Sequence, residues 1–522
     1  MKVDLSGEKN GILYERLDTT QACKNLYEVK SVPMSFMKID IVIAYVMILI
    51  GFLYWNLIFI GSFGLGVTIF TVVLCTLTIA YFKTSGIRQS KASLGFLALI
   101  ALSALNFALF DAILIKALNF LFLTLCFVYW VCIYAGTRME NKISLYAVSD
   151  LIYQLFVIPF YNFTGCFKGI IQIFTKGKKG KEVLGGIAGI LLFLPVLILV
   201  ITLLANADAA FESLISKIQF SISDKALEYL WQIILGTPVT FYLYGLLYGN
   251  IYKRRPGNAT TETVNTYIEV FRFSPALAVY SALTVLNLVY LTFFLVQASY
   301  LFSAFSDILP QNMTYAEYAR RGFFELCAVS GINLAVITTA HLIVKRDRVK
   351  ILQGETAVIC VFTIALIATA MSKMGMYISY YGLTRPRVYT SWFMILLLFI
   401  FIIILIRQFR SFQGTRIAVV GGICLFMALC YSNPDGMIAK YNIERYQAGT
   451  LETLDIDSFY DLSDGAVPYI YELYQETEDN EMKGELKQAI MGLFDSNMSN
   501  HQSTFRDFNL QKYKADLIRK KI

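Results

Sequence analysis

Metal ligands, reactive motifs and charge are all scarce in this chain of 522 residues. It has two histidines, His341 and His501, and nine cysteines, none of them at the C-x-x-C spacing of a zinc or redox site. No metal centre and no cofactor is therefore expected. Walker, G-x-S-x-G, H-E-x-x-H and dinucleotide-binding patterns are also absent, which argues against familiar ATP-driven, hydrolytic and NAD-dependent chemistry. No cysteine follows Cys430, so the last ~90 residues cannot be held by internal disulfides. Charged residues make up 16% of the chain and hydrophobic ones 57%, against about 45 to 50% apolar in soluble domains. Nothing resembles a cleavable leader: the first apolar run starts near Ile39, after a mixed-charge arm, and is expected to serve as its own insertion signal.

What the chain does have is a series of apolar stretches of roughly 20 residues, the length a bilayer-spanning helix needs. They are drawn at 39–58, 63–82, 92–110, 114–135, 184–205, 227–249, 275–300, 323–343, 356–378, 389–408 and 415–432. The expected fold is all-α, a polytopic membrane protein of about 11 spans. Residues 1–38 form a cytoplasmic arm, 39–432 the transmembrane domain and 433–522 an acidic helical domain. The net charge of +8 divides into roughly +14 before residue 433 and roughly −6 after it. With the amino terminus inside, roughly 27 Lys and Arg fall on cytoplasmic segments and about 7 on external loops. That orientation predicts a multi-pass plasma-membrane protein with its carboxyl-terminal domain extracytoplasmic. The basic excess is topogenic, and nucleic acid is not an expected partner.

One long cytoplasmic stretch, 136–183, combines Phe156, Phe160, Phe163, Phe167 and Phe174 with a basic flank of Lys176, Lys178, Lys179 and Lys181. An aromatic segment lying at the membrane surface beside anionic lipids fits it, and a re-entrant or spanning helix pair is the alternative. Pro159 interrupts the run. Gly185 with Gly189 and Gly245 with Gly249 present small residues on one helix face, as close helix packing requires. In the tail, Ile438, Tyr441, Ile443 and Tyr446, then Val467, Ile470, Leu473 and Tyr474, recur at helical spacing, with Asp464 a candidate cap for the second run. Asp455, Asp457, Asp461 and Asp464 lack calcium-loop spacing and read as capping and solubility.

Basic residues on the sparsely charged external side are the informative ones. Arg320, Arg321, Arg385 and Arg387, with Lys373 in the outer turns of its span, could form one patch that grips phosphate or carboxylate through paired hydrogen bonds. The same patch could instead dock the acidic domain or reach lipid phosphates. Glu325 lies four residues after Arg321, a spacing at which the two can pair. Ionisable groups inside spans are costly unless partnered. Lys116 is near enough to a helix end to snorkel, and His341 suits a solvated or carbonyl-bonded imidazole. Asn287, Gln297 and Asn333 suit inter-helix hydrogen bonds as well as a pore.

The stretches Tyr315 to Leu326, Tyr380 to Phe393 and Asn433 to Tyr446 resemble an uncharacterised bacterial multi-pass membrane-protein family of the DUF4173 / DUF4153-like type. Leu462 to Tyr469 and Phe505 to Lys514 are similar to its tail. The resemblance implies a plasma-membrane protein with a helical carboxyl-terminal appendage and no assigned activity, so no catalytic residue carries over. The leading expectation is a protein that binds or moves an anionic or lipidic ligand near Arg320, Arg321, Glu325, Lys373, Arg385 and Arg387. A membrane sensor or scaffold that contacts a partner protein through 433–522 is the second. A membrane enzyme on lipid or cell-wall precursors, with Glu325 as acid or base, is the third.

Overall fold

Apolar runs this long have few ways to satisfy their backbone away from water, and helices are the form they take here. The computed structural model describes residues 33–60, 63–174, 189, 193, 196–197, 200–219, 224–255, 261–270, 272, 274–305, 323–344, 349–495 and 504–522. Among them, ten helices are long and apolar enough to cross a membrane. The chain is an all-α polytopic membrane protein. Of the eleven stretches expected from sequence, 184–205 lies largely outside the described residues, as do Lys176, Lys178, Lys179, Lys181, Arg320 and Arg321.

The first bundle contains α1 (Lys38–Tyr54), α2 (Leu65–Thr84), α3 (Lys91–Leu109), α4 (Ile113–Ala135) and, much later in the chain, α9 (Asp224–Ile251). Between α4 and α9 lie α5 (Tyr146–Ile152), α6 (Ile158–Tyr161), α7 (Gly165–Phe174) and α8 (Ala209–Gln219). Helices α1 and α9 run antiparallel. Asn56 Nδ2 donates to Gln232 Oε1 at 2.9 Å, Thr240 Oγ1 to the Met47 carbonyl at 2.9 Å and Tyr248 OH to the Ser35 carbonyl at 2.7 Å. They cross where two glycines meet: a Cβ on Gly51 would stand 2.4 Å from the Gly236 carbonyl oxygen. Buried aromatic side chains fill the interior, among them Trp130, Tyr81, Phe82, Phe107 and Tyr244.

The segment from α5 to α7 packs near the Lys38 end of α1 and the Ile251 end of α9. A π-helical turn, Tyr153–Val157, joins α5 to α6. Pro159 has no N–H for the Leu155 carbonyl, and that carbonyl instead accepts the Tyr242 hydroxyl of α9 at 3.0 Å. Gly245 and Gly249 face this segment: a Cβ on Gly245 would lie 2.5 Å from the Pro159 carbonyl oxygen, and one on Gly249 2.5 Å from Asn162 Nδ2. Leu145, Val148, Ile152, Phe156 and Phe160 leave an exposed apolar stripe along its other side. Helix α7 ends beside the start of α1, whereas α9 begins beside its far end. The face carrying Lys38 is called basal below, and the opposite one apical.

After the short α10 (Thr261–Val270), the second bundle contains α11 (Ala276–Phe305), α12 (Phe323–Ile343), α13 (Val349–Tyr381) and α14 (Arg385–Phe409). Asn333 of α12 joins three helices, accepting from the Tyr290 hydroxyl of α11 and donating to Thr363 Oγ1 of α13 at 2.8 Å. Helix α15 (Gly414–Tyr431) then links the bundles. Its Leu425 carbonyl accepts Trp392 Nε1 of α14 at 3.0 Å, and its Cys430 carbonyl accepts Asn106 Nδ2 of α3 at 2.7 Å.

A small domain of α16 (Pro434–Gln447), α17 (Val467–Glu476), α18 (Asn480–Asp495) and α19 (Leu510–Arg519) completes the chain. Asn433, in a left-handed conformation with φ 48°, caps α16 by accepting the Gly436 N–H at 3.3 Å. Both expected periodic runs are helical, and Ile438, Phe459, Ile470, Leu486 and Ile490 form the core. Asp464 does not cap α17, whose N-cap is Ala466; the Asp464 carboxylate instead meets Arg519 of α19. An ion pair inside the domain has displaced the local cap.

Candidate functional site

The domain sits on the apical ends of both bundles, held by two sets of polar contacts. On the first bundle, the Leu65 N–H donates to the Phe508 carbonyl at 2.9 Å, and Arg506 Nη1 donates to the Asn56 carbonyl at 3.1 Å. At the α3–α4 turn, the Asp111 N–H donates to Gln511 Oε1 at 2.8 Å. Asp111 Oδ1 accepts both Asn509 Nδ2 at 2.8 Å and Lys116 Nζ at 2.9 Å. Lys116, buried in the apical end of its span, therefore has a carboxylate partner in place of the expected snorkel.

On the second bundle the join is made by Arg385 at the start of α14. Its Nε and Nη2 donate to the two carboxylate oxygens of Asp435 at 2.8 and 2.7 Å, the paired geometry that guanidinium and carboxylate share. Asp435 is fully buried and also accepts the Ser463 N–H at 3.1 Å, so its charge is balanced from both sides. Asn442 closes the join: its Nδ2 donates to the Leu383 carbonyl at 2.8 Å, while its Oδ1 accepts the Leu383 N–H at 2.7 Å. Gly382 makes room for it. Its φ of +71° suits glycine, and a Cβ there would stand 2.5 Å from Asn442 Oδ1.

Arg387 is engaged differently. Its guanidinium donates to the Tyr381 and Gly382 carbonyls that α13 leaves open at its end, and it lies 4.0 Å from the centre of the Tyr377 ring. The two arginines thus do separate jobs: Arg385 holds the domain, and Arg387 seals the turn from which α14 starts.

Beside this join, the apical turns of α13 and the end of α16 with the loop after it enclose a cleft of about 720 Å³. Ser372, Ser379, Tyr380 and Tyr381 line one side, Arg445, Thr450 and Glu452 the other, and Gly375 forms part of the wall. Arg445 is fixed by Thr450, its Nε 3.0 Å from Oγ1 and its Nη2 2.8 Å from the carbonyl. Five hydroxyls, a guanidinium and a carboxylate therefore border one space at the apical end of a candidate span. Lys373 is half-buried on the same turns of α13 as Ser372, and Glu325 is exposed in the first turn of α12. His341 Nδ1 contacts the Ile337 carbonyl at 2.9 Å, the carbonyl-bonded arrangement.

Two buried or half-buried carboxylates escape a reading by apolar runs. Asp40, fully buried at the basal end of α1, accepts Tyr81 OH at 2.8 Å, Tyr252 OH at 2.7 Å and the Met37 N–H at 2.7 Å. The available signal was the recurrence of Tyr244, Tyr248 and Tyr252 every four residues along one face of α9 and just past its end. Glu355 of α13 accepts Asn287 Nδ2 at 2.6 Å and meets Thr284 Oγ1 at 2.9 Å. It stands just before the stretch drawn at 356–378.

The family described as "Domain of unknown function (DUF4153)" matches residues 96–473. The match takes in most of α3, all of the second bundle and the domain as far as α17. It leaves α1, α2, α18 and α19 outside, so the Phe505 to Lys514 stretch, which resembles the family's tail, falls beyond it. No curated protein and no solved structure matches the chain.

Proposed function

Because the chain belongs to the DUF4153 family, whose description assigns no chemistry, we propose a function from its own side chains: it binds an anionic or lipidic ligand in the apical cleft between α13 and the domain. The convergence of Ser372, Ser379, Tyr380, Thr450 and Arg445 on one space carries this reading. Hydroxyls and a guanidinium suit phosphate or carboxylate oxygens, and Glu452 on the same wall offers a partner to an ammonium group. A zwitterionic or partly anionic phospholipid headgroup satisfies both. Lys373 does not line the cleft, and Arg385 and Arg387 act beside it, holding the domain and the α13–α14 turn in place.

The test uses a position where bulk is free to enter. A Cβ on Gly375 meets nothing within 4 Å, so Gly375→Leu fills the cleft without disturbing the helix packing. Binding of phosphoethanolamine or phosphoglycerol, followed by calorimetry on the purified protein, should weaken by about tenfold or more, equivalent to ~1.4 kcal/mol. Unchanged binding, or none by the parent protein, removes the cleft as the site.

The basal face is proposed to be cytoplasmic. Among the described residues Lys38, Lys83, Arg88, Lys91, Arg138, Lys142, Arg407 and Arg410 flank basal helix ends, which suits the positive-inside bias. In whole cells, Asp479→Cys should react with an impermeant thiol reagent and Lys142→Cys should not; the reverse pattern inverts the assignment. A second reading has support from the domain's bonds to both bundles: a protein partner on the domain would act on the two together, as a sensor or scaffold requires.

A further inference from the structure

The side that α19 turns away from its own domain is apolar. Leu510, Tyr513 and Leu517 recur at helical spacing and are 38%, 51% and 43% exposed, whereas Ala515 on the other side is fully buried. Phe505 and Phe508 extend the stripe, 61% and 41% exposed, with the Phe508 ring 6.0 Å from that of Tyr513. A helix face turned to water is normally polar, so this one is inverted.

Two hydrogen bonds fix the level at which the stripe begins. The Leu65 N–H to Phe508 carbonyl bond and the Arg506 to Asn56 carbonyl bond tie residues 506 and 508 to the apical ends of α1 and α2. The approach is close: a Cβ on Gly64 would stand 2.6 Å from the Arg506 carbonyl oxygen. Both helices are candidate spans, so their apical ends mark the boundary between headgroups and acyl chains. Exposed Phe, Leu and Tyr at that height face lipid, and aromatic rings favour that zone. Lys514, on the helix face of Leu510 and Leu517, and Lys521, two residues past the end of α19, are both exposed; their long stems can lie along the apolar stripe and their ammonium groups reach phosphate.

We infer that residues 505–521 form an amphipathic foot that rests the domain on the apical leaflet, with Phe505, Phe508, Leu510, Tyr513 and Leu517 in the interface and Lys514 and Lys521 on anionic lipid phosphates. The foot is separate from the cleft and stands whether or not the cleft binds a headgroup. It lies beyond the family match, which ends at residue 473.

Hydroxyl-radical footprinting of the full chain, one molecule per nanodisc of phosphatidylcholine and phosphatidylglycerol, tests it. Tyr513 should be oxidised about tenfold more slowly than Tyr460, whose exposure within the protein is similar at 40%. Equal rates for the two tyrosines would overturn the inference. Lys514→Glu with Lys521→Glu should reduce the protection of Tyr513 in these discs, and so should discs of phosphatidylcholine alone. Protection unmoved by either change would overturn the anionic part of the assignment. A single molecule per disc excludes a second copy as the cover.

Discussion

Arg385→Ala is expected to release the domain from the second bundle at a cost of about 3 to 5 kcal/mol, the range for removing one partner of a buried ion pair. The cost comes mainly from what is left behind. Asp435 is fully buried, and with Arg385 gone its carboxylate keeps the Ser463 N–H at 3.1 Å and loses its cation. Limited proteolysis of the purified protein should then cut at residues 447–466, between α16 and α17, far faster than in the parent. Arg385→Met combined with Asp435→Leu should recover much of the loss, because no uncompensated charge remains. The comparison is Lys440→Ala, which breaks the exposed pair with Glu444, 3.7 Å apart, and should change little. If Arg385→Ala and Lys440→Ala behave alike, the join at Asp435 does not hold the domain.

Gly51→Val should be the most disruptive single change in the transmembrane part. A Cβ there would lie 2.1 Å from Thr240 Oγ1 and 2.4 Å from the Gly236 carbonyl oxygen, so backbone has to move. Overpacking a dense interior usually costs about 1 to 3 kcal/mol, and a backbone clash places this case at the top of that range or above it. Separating α1 from α9 also breaks the Thr240 to Met47 and Asn56 to Gln232 bonds. The expected result is a large fall in the thermal midpoint in detergent and little monodisperse protein. Gly331→Val serves as the control, since a Cβ on Gly331 meets nothing within 4 Å. Similar midpoints for the two variants would mean that the glycine crossing does not hold the bundle together.

How much of this was legible beforehand depends on the range of the interaction. The apolar runs declare themselves within 20 residues, and so did the helices after Asn433. The small face of Gly245 and Gly249 was visible as a spacing, although the segment it receives, Pro159 to Asn162, lies more than 80 positions earlier. Arg385 and Arg387 were conspicuous because they interrupt a sparsely charged side, yet nothing local could choose between a ligand and Asp435, 50 residues away. Asp464 shows the same limit in reverse. Three residues ahead of a periodic run it looks like a cap, and only the distant Arg519, 55 residues on, explains why it is not. Asp40 was hidden by position: at the edge of an apolar run it passes for an interfacial residue, and its tyrosine donors come from two other helices.

The crossing of Gly51 and Gly236 bears on how the chain is made. Thr240 and the Met47 carbonyl it bonds are 193 positions apart, and at about 5 to 20 residues per second the ribosome needs roughly 10 to 40 s to travel between them. During that interval α1 is already in the bilayer without the helix it packs against. The side that carries Gly51 is then not yet covered by α9, with α2 to α7 as the described neighbours already made. The crossing can therefore close only after α9 has been made, which places it late in the assembly of the first bundle.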